Sequence, residues 1–207
     1  MRRVRFGMTY VIIGLGVFIL SSCGFMYDDP EEISTSGENY FSSLDASSYS
    51  TWVYVKLSTH KSTIVEMSDT DSIPADWDFA IHRYNCKTNG GSVMETEYEK
   101  LSELTASGEL PSGEFVSDIM TDSVVVSDIS KMMLGELVYQ KTNLNMMLSH
   151  WMTLDTGSMP PSYTTSNRVY VLRLKDNTYA AVRFTDYMNA NGTKAYISFD
   201  YIYPLSL

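Results

Sequence analysis

Cysteine is nearly absent: two residues in 207, Cys23 and Cys86, which leaves no multi-bridge disulfide framework and no cysteine zinc site. Histidine is almost as scarce, with His60, His82 and His150 as the whole set. The chain contains no His-Glu-x-x-His, Gly-x-Ser-x-Gly, Cys-x-x-Cys or phosphate-cradling glycine loop, so the sequence gives little ground for an enzyme. Basic residues are also few, 15 against 25 acids, for a net charge of −10. Such a surface repels phosphate backbones and anionic lipid, which argues against nucleic acid or peripheral membrane docking. The longest apolar run, residues 8–20, is short and interrupted by Gly14 and Gly16, which does not favour a spanning helix.

That run does fit an export signal. Arg2, Arg3 and Arg5 precede it and Leu20-Ser21-Ser22-Cys23 closes it, the pattern of a bacterial lipoprotein signal of residues 1–22. Cleavage makes Cys23 the acylated N-terminus, so lipid chains alone tie the protein to a membrane. Cys86 is then an unpaired thiol on an apolar strand, expected to be buried.

Residues 23–50 are rich in Ser and acids, including Asp28-Asp29-Pro30-Glu31-Glu32, and read as a solvated tether. From residue 51 to 207 the pattern is β. Trp52–Leu57, Trp77–Cys86, Phe115–Ile119 and Ser123–Ile129 are β-branched and aromatic. Arg168–Lys175, Tyr179–Tyr187 and Lys194–Tyr203, separated by turn formers, predict an antiparallel meander. Glu95–Leu104 has helix formers, and Leu144, Met147, Leu148 and Trp151 recur at i, i+3, i+4 and i+7 behind a cap at Thr142 or Asn143. The fold class is therefore mainly β: a single antiparallel, meander-rich β-sheet domain with one or two short helices. His82 and Cys86, four apart, are expected on one face about 13 Å from each other. Asp76 and Asp78 read as solvated charges at a strand start.

Residues 75–93 carry the most information. Trp77, Phe79 and Ile81 alternate with Ala80, His82 and Tyr84 before the turn at Asn89-Gly90-Gly91. With Thr51-Trp52-Val53-Tyr54-Val55 upstream, and Met159-Pro160-Pro161-Ser162-Tyr163 and Val169-Tyr170-Val171-Leu172-Arg173 downstream, the chain resembles the HmuY family of haem-binding (heme-binding) surface lipoproteins. The resemblance implies an outer-membrane, surface-exposed, lipid-anchored hemophore that takes haem for iron uptake, with host haemoproteins and an outer-membrane haem receptor as partners. A non-haem surface adhesin or accessory binding lipoprotein is the alternative.

Thirteen methionines are present, and Met132, Met133, Met146, Met147, Met152 and Met159 cluster between 132 and 159. Met146, Met147 and Met152 read as packing. Met159 stands before two prolines that stiffen its loop. Family members hold iron between two axial side chains, and by position the resemblance implies Met159 with Met132 or Met133. In an extended chain only one of that adjacent pair faces a given pocket. Tyr139, Tyr163 and Trp151 are the expected porphyrin-packing aromatics and His150 the reserve ligand; Lys131 and Arg168 are near enough in sequence to meet the propionates, a role that exposure to solvent would serve equally well. His82 is expected to be a buried structural histidine.

Overall fold

The computed structural model describes residues 39–157 and 159–207. Cys23, the signal segment and the tether up to residue 38 lie outside the described residues. None of the described helices is long and apolar enough to cross a membrane.

Two antiparallel sheets form the body. The larger has six strands in the spatial order Asn39–Asp45, Lys194–Ile202, Tyr179–Met188, Tyr170–Arg173, Ser92–Glu95 and Val116–Ser117; the smaller orders Lys61–Glu66, Thr51–Lys56, Phe79–His82 and Asn85–Thr88. The C-terminal meander is present as the alternation predicts. Residues 39–45, read as tether from their Ser and Asp content, instead pair with Lys194–Ile202 and bury Phe41 against Phe199. A partner strand some 150 residues away is what makes that short apolar pattern productive.

Period-two alternation sends each strand's side chains to two apolar layers. Val53, Val55, Phe79 and Ile81 meet Tyr170, Leu172, Val182 and Phe199 in the core between the sheets. On the far side of the small sheet, Trp52, Tyr54 and Ala80 pack against Val125 and Leu144. Val171 and Ala181, on the outer face of the large sheet, are covered by Leu101 and Leu104 of the helix Leu101–Ser107. Burial on both faces explains why the strands Thr51–Lys56 and Phe79–His82 are apolar almost throughout.

Several local expectations shift. Trp77–Cys86 is not one strand: Phe79–His82 and Asn85–Thr88 form a hairpin in which Arg83 turns with φ 57°. Cys86 is thus the cross-strand partner of Ile81 and faces the core, while His82 points to the opposite face. Burial raises the Cys86 thiol's pKa, making it an inert core group. The first helix starts later than Glu95 because Glu95 is already paired to Tyr170. The second is only Met146–Ser149, capped by Asn145, whose side chain accepts from the Leu148 N–H at 2.8 Å. Leu144 belongs instead to a strand paired with Ile119–Thr121. Asp78 is not solvated; it is buried against Lys56 at 2.8 Å.

Candidate functional site

Two hairpins stand on this body. One pairs Val126–Asp128 with Val138–Tyr139 and carries a short 3-10 turn, Met132–Leu134, in its connection. The other pairs Met152–Asp155 with Ser162–Thr165 and carries Met159 in its connecting loop. Between them lies a cavity of about 160 Å³. Val126, Ile129, Met132 and Leu137 come from the first hairpin, Leu154 and Tyr163 from the second, and Leu154 and Tyr163 are a cross-strand pair. The turn His82-Arg83-Tyr84-Asn85, Tyr49 and Val124 complete the lining. The cavity is smaller than the roughly 300–1,000 Å³ usual for ligand pockets, so a large planar guest requires the hairpins to spread.

The hairpins are attached through specific polar contacts. His82 lies with Nδ1 3.0 Å from the Thr51 carbonyl and Nε2 3.0 Å from the Val126 carbonyl. It is the buried structural histidine that the strand pattern predicts, and it also ties down the Met132 hairpin. Burial lowers its pKa, and the two carbonyls oppose that shift. Beneath the second hairpin, Trp151 stacks on Phe184 at 4.3 Å and donates its indole N–H to the Tyr84 carbonyl at 2.9 Å.

Of the adjacent methionines, Met132 lines the cavity at 53 % exposure, whereas Met133 does not line it and is 91 % exposed. The turn separates them, since the chain there is 3-10 rather than extended. Met159 is 90 % exposed and not among the lining residues; it sits in the loop joining the strands that supply Leu154 and Tyr163. Tyr163 lines the cavity, stacked on Tyr187 at 5.0 Å with the Lys194 ammonium 4.2 Å over its ring.

Other expectations fail. Tyr139 lies in a separate groove with Lys131, Glu136 and Val138. Trp151 is wholly buried in the core, so it supports the wall without forming it. His150 is exposed and does not line the cavity. Lys131 is 3.5 Å from Glu136, and Arg168 donates to the Glu97 carbonyl at 2.6 Å; neither lines the cavity.

Arg83 and Tyr84 carry no sequence signal for a site because they look like the continuation of a strand, and Tyr49 falls in the segment that reads as tether. The guanidinium lies 4.4 Å over the Tyr49 ring and donates to the Ser47 carbonyl at 2.7 Å. Among the described residues, no three His, Cys, Asp or Glu side chains are grouped to hold a metal ion.

The fold is thus an antiparallel two-sheet body with a cavity set between two hairpins. The chain belongs to the HmuY family: the family model described as HmuY protein matches residues 48–201. A solved structure provisionally described as a lipoprotein from Bacteroides fragilis is 44% identical, with a TM-score of 0.77, covering 84% of this chain and 93% of its own. A second, provisionally described as an HmuY-like heme binding protein from Bacteroides vulgatus, is 42% identical, with a TM-score of 0.78 and coverage of 83% and 94%. The apo HmuY analog of Tannerella forsythia, 24% identical with a TM-score of 0.69 over 79% of this chain and 94% of its own, shares the fold. No curated protein matches the chain.

Proposed function

We propose that this protein is a haem-capturing lipoprotein, acylated at Cys23 after loss of residues 1–22, held by residues beyond Cys23 at the outer face of the outer membrane, and passing haem to an uptake receptor. One observation carries the reading: two hairpins flank a single cavity, and each bears a methionine in its connection, Met132 on one and Met159 on the other. Met132 is the better-placed member of its pair because it already lines the cavity. Apolar contact from Val126, Ile129, Leu137, Leu154 and Tyr163 would supply most of the binding free energy, with the sulfurs fixing orientation.

Two neutral, soft thioethers match ferrous iron better than ferric, so binding favours reduced haem. The protein would act as a haem trap whose affinity depends on the redox state of the iron. Family membership and the B. vulgatus relative's description support the haem assignment.

The test is direct. Purified protein is titrated with hemin, with and without dithionite, and the Soret and Q bands are recorded. Saturable low-spin bands that sharpen on reduction are expected. Broad, non-saturating absorbance would overturn the reading and leave an anchored adhesin or accessory module.

A further inference from the structure

The cavity has one corner in which hydrogen-bond donors are concentrated. Arg83 is the lining residue with a permanent positive charge. Among the described residues Lys56, Lys131, Arg168 and Arg183 are paired with carboxylates, and none of these four lines the cavity. Arg83 has no carboxylate partner among the described residues; its guanidinium makes a single protein hydrogen bond, to the Ser47 carbonyl. A guanidinium carries five N–H donors, so most of its capacity is unused.

Around it stand the tyrosines Tyr49, Tyr84 and Tyr163, which line the same cavity, and Tyr187, stacked behind Tyr163. None of these four phenols makes a protein hydrogen bond among the described residues, and the Tyr187 hydroxyl is buried with no partner at all. Buried hydroxyls without partners are uncommon and costly. Tyr187 stands behind the cavity wall, stacked on Tyr163, which lines the cavity together with Arg83; burial pushes its phenol up to about 12, and Arg83 acts in the opposite sense. Such a corner is rich in donors, and no carboxylate lines it.

We propose that the cavity wall at Arg83, with Tyr49, Tyr84 and Tyr163 beside it and Tyr187 stacked behind Tyr163, is the seat of a carboxylate, and specifically of a propionate of the bound porphyrin. The assignment rests on the haem reading above and adds to it the residue that orients the macrocycle. An anionic guest approaching a chain of net charge −10 meets general repulsion, which a local unpaired guanidinium offsets. Planar, bidentate recognition of a carboxylate is what arginine does best. Lys131 and Arg168, engaged elsewhere, are replaced in this role.

The experiment compares hemin with hemin dimethyl ester, whose propionates are capped and uncharged, on the whole protein and on Arg83→Gln and Tyr187→Phe. Affinities are read from Soret titrations, and separately from quenching of intrinsic fluorescence by metal-free protoporphyrin and its dimethyl ester, where no axial bond contributes. The unaltered protein is expected to prefer the free acid by about tenfold or more. Arg83→Gln should abolish that preference by lowering free-acid affinity far more than ester affinity. Tyr187→Phe keeps the ring stack and loses no protein hydrogen bond, so it tests the corner without threatening the fold, and it should reduce the preference several-fold. If the acid-to-ester ratio is the same in all three proteins, the corner is not a carboxylate site although haem binding stands. If neither porphyrin binds saturably to the unaltered protein, the haem reading itself has failed and this assignment falls with it.

Discussion

His82 Nε2 lies 3.0 Å from the Val126 carbonyl, so one buried ring joins the small sheet to the hairpin that carries Met132. Its other nitrogen is held by Thr51. Burial sets its pKa below the ordinary 6.5, against the pull of the two carbonyls. The unfolded chain therefore takes up the proton first, and the stability that the neutral ring contributes above pH 6.5 is lost as pH falls through the folded value. Urea unfolding from pH 7 to 5 should show a steeper loss for the natural protein than for His82→Gln. The opposite slope would mean that the two carbonyls hold the ring as a cation.

Met132 and Met133 are neighbours in sequence with different surroundings. Met132→Ala and Met159→Ala should each weaken ferrous haem binding by about tenfold or more and alter the low-spin bands, whereas Met133→Ala should leave both unchanged. Equal effects from Met132→Ala and Met133→Ala would show that the turn rearranges on binding.

Asp78 and Asp76 both contact Lys56, at 2.8 and 2.9 Å, but their side chains are 3 % and 78 % exposed. Asp78 also accepts from the Leu57 N–H at 2.7 Å. Asp78→Ala removes the buried partner of Lys56, leaving it only the exposed Asp76, and takes the acceptor from the Leu57 N–H, and should cost about 3 kcal/mol. Asp76→Ala should cost less than about 1 kcal/mol. Denaturant midpoints with matched m-values separate the two.

Lys87 is wedged among Trp52, Tyr54 and Trp77, its ammonium 4.1 Å over the Trp52 ring. Burial pushes it down to about 8 from 10.5. Between those values the unfolded chain binds more protons, so Lys87 makes stability rise with pH. The difference in unfolding free energy between the natural protein and Lys87→Met should therefore shift in favour of the natural protein from pH 8 to 10. A flat difference would mean that the three rings retain the charge.

The β class, the meander and the buried thiol were all legible because they depend on local alternation and turn chemistry. Phe79, Ile81 and the residues from 170 to 202 show their pattern without reference to any distant partner. The hairpin at Arg83 was not legible: His82-Arg83-Tyr84-Asn85 contains neither Gly nor Pro, and the positive φ of Arg83 is imposed by pairing Ile81 with Cys86. The strand Asn39–Asp45 was hidden for a related reason, since its partner lies at the other end of the chain.

Sequence by itself determined that this is an acidic, nearly cysteine-free chain with a mainly β domain and six methionines between residues 132 and 159. Tertiary structure decided which of those residues share a space. It put Met132 rather than Met133 at the cavity, removed Tyr139 and Trp151 from it, and brought Arg83 and Tyr49 to its wall. The physical reason is that periodicity assigns a side chain to a face, whereas a cavity is made where faces of several non-adjacent strands meet, and that depends on pairing across the whole chain.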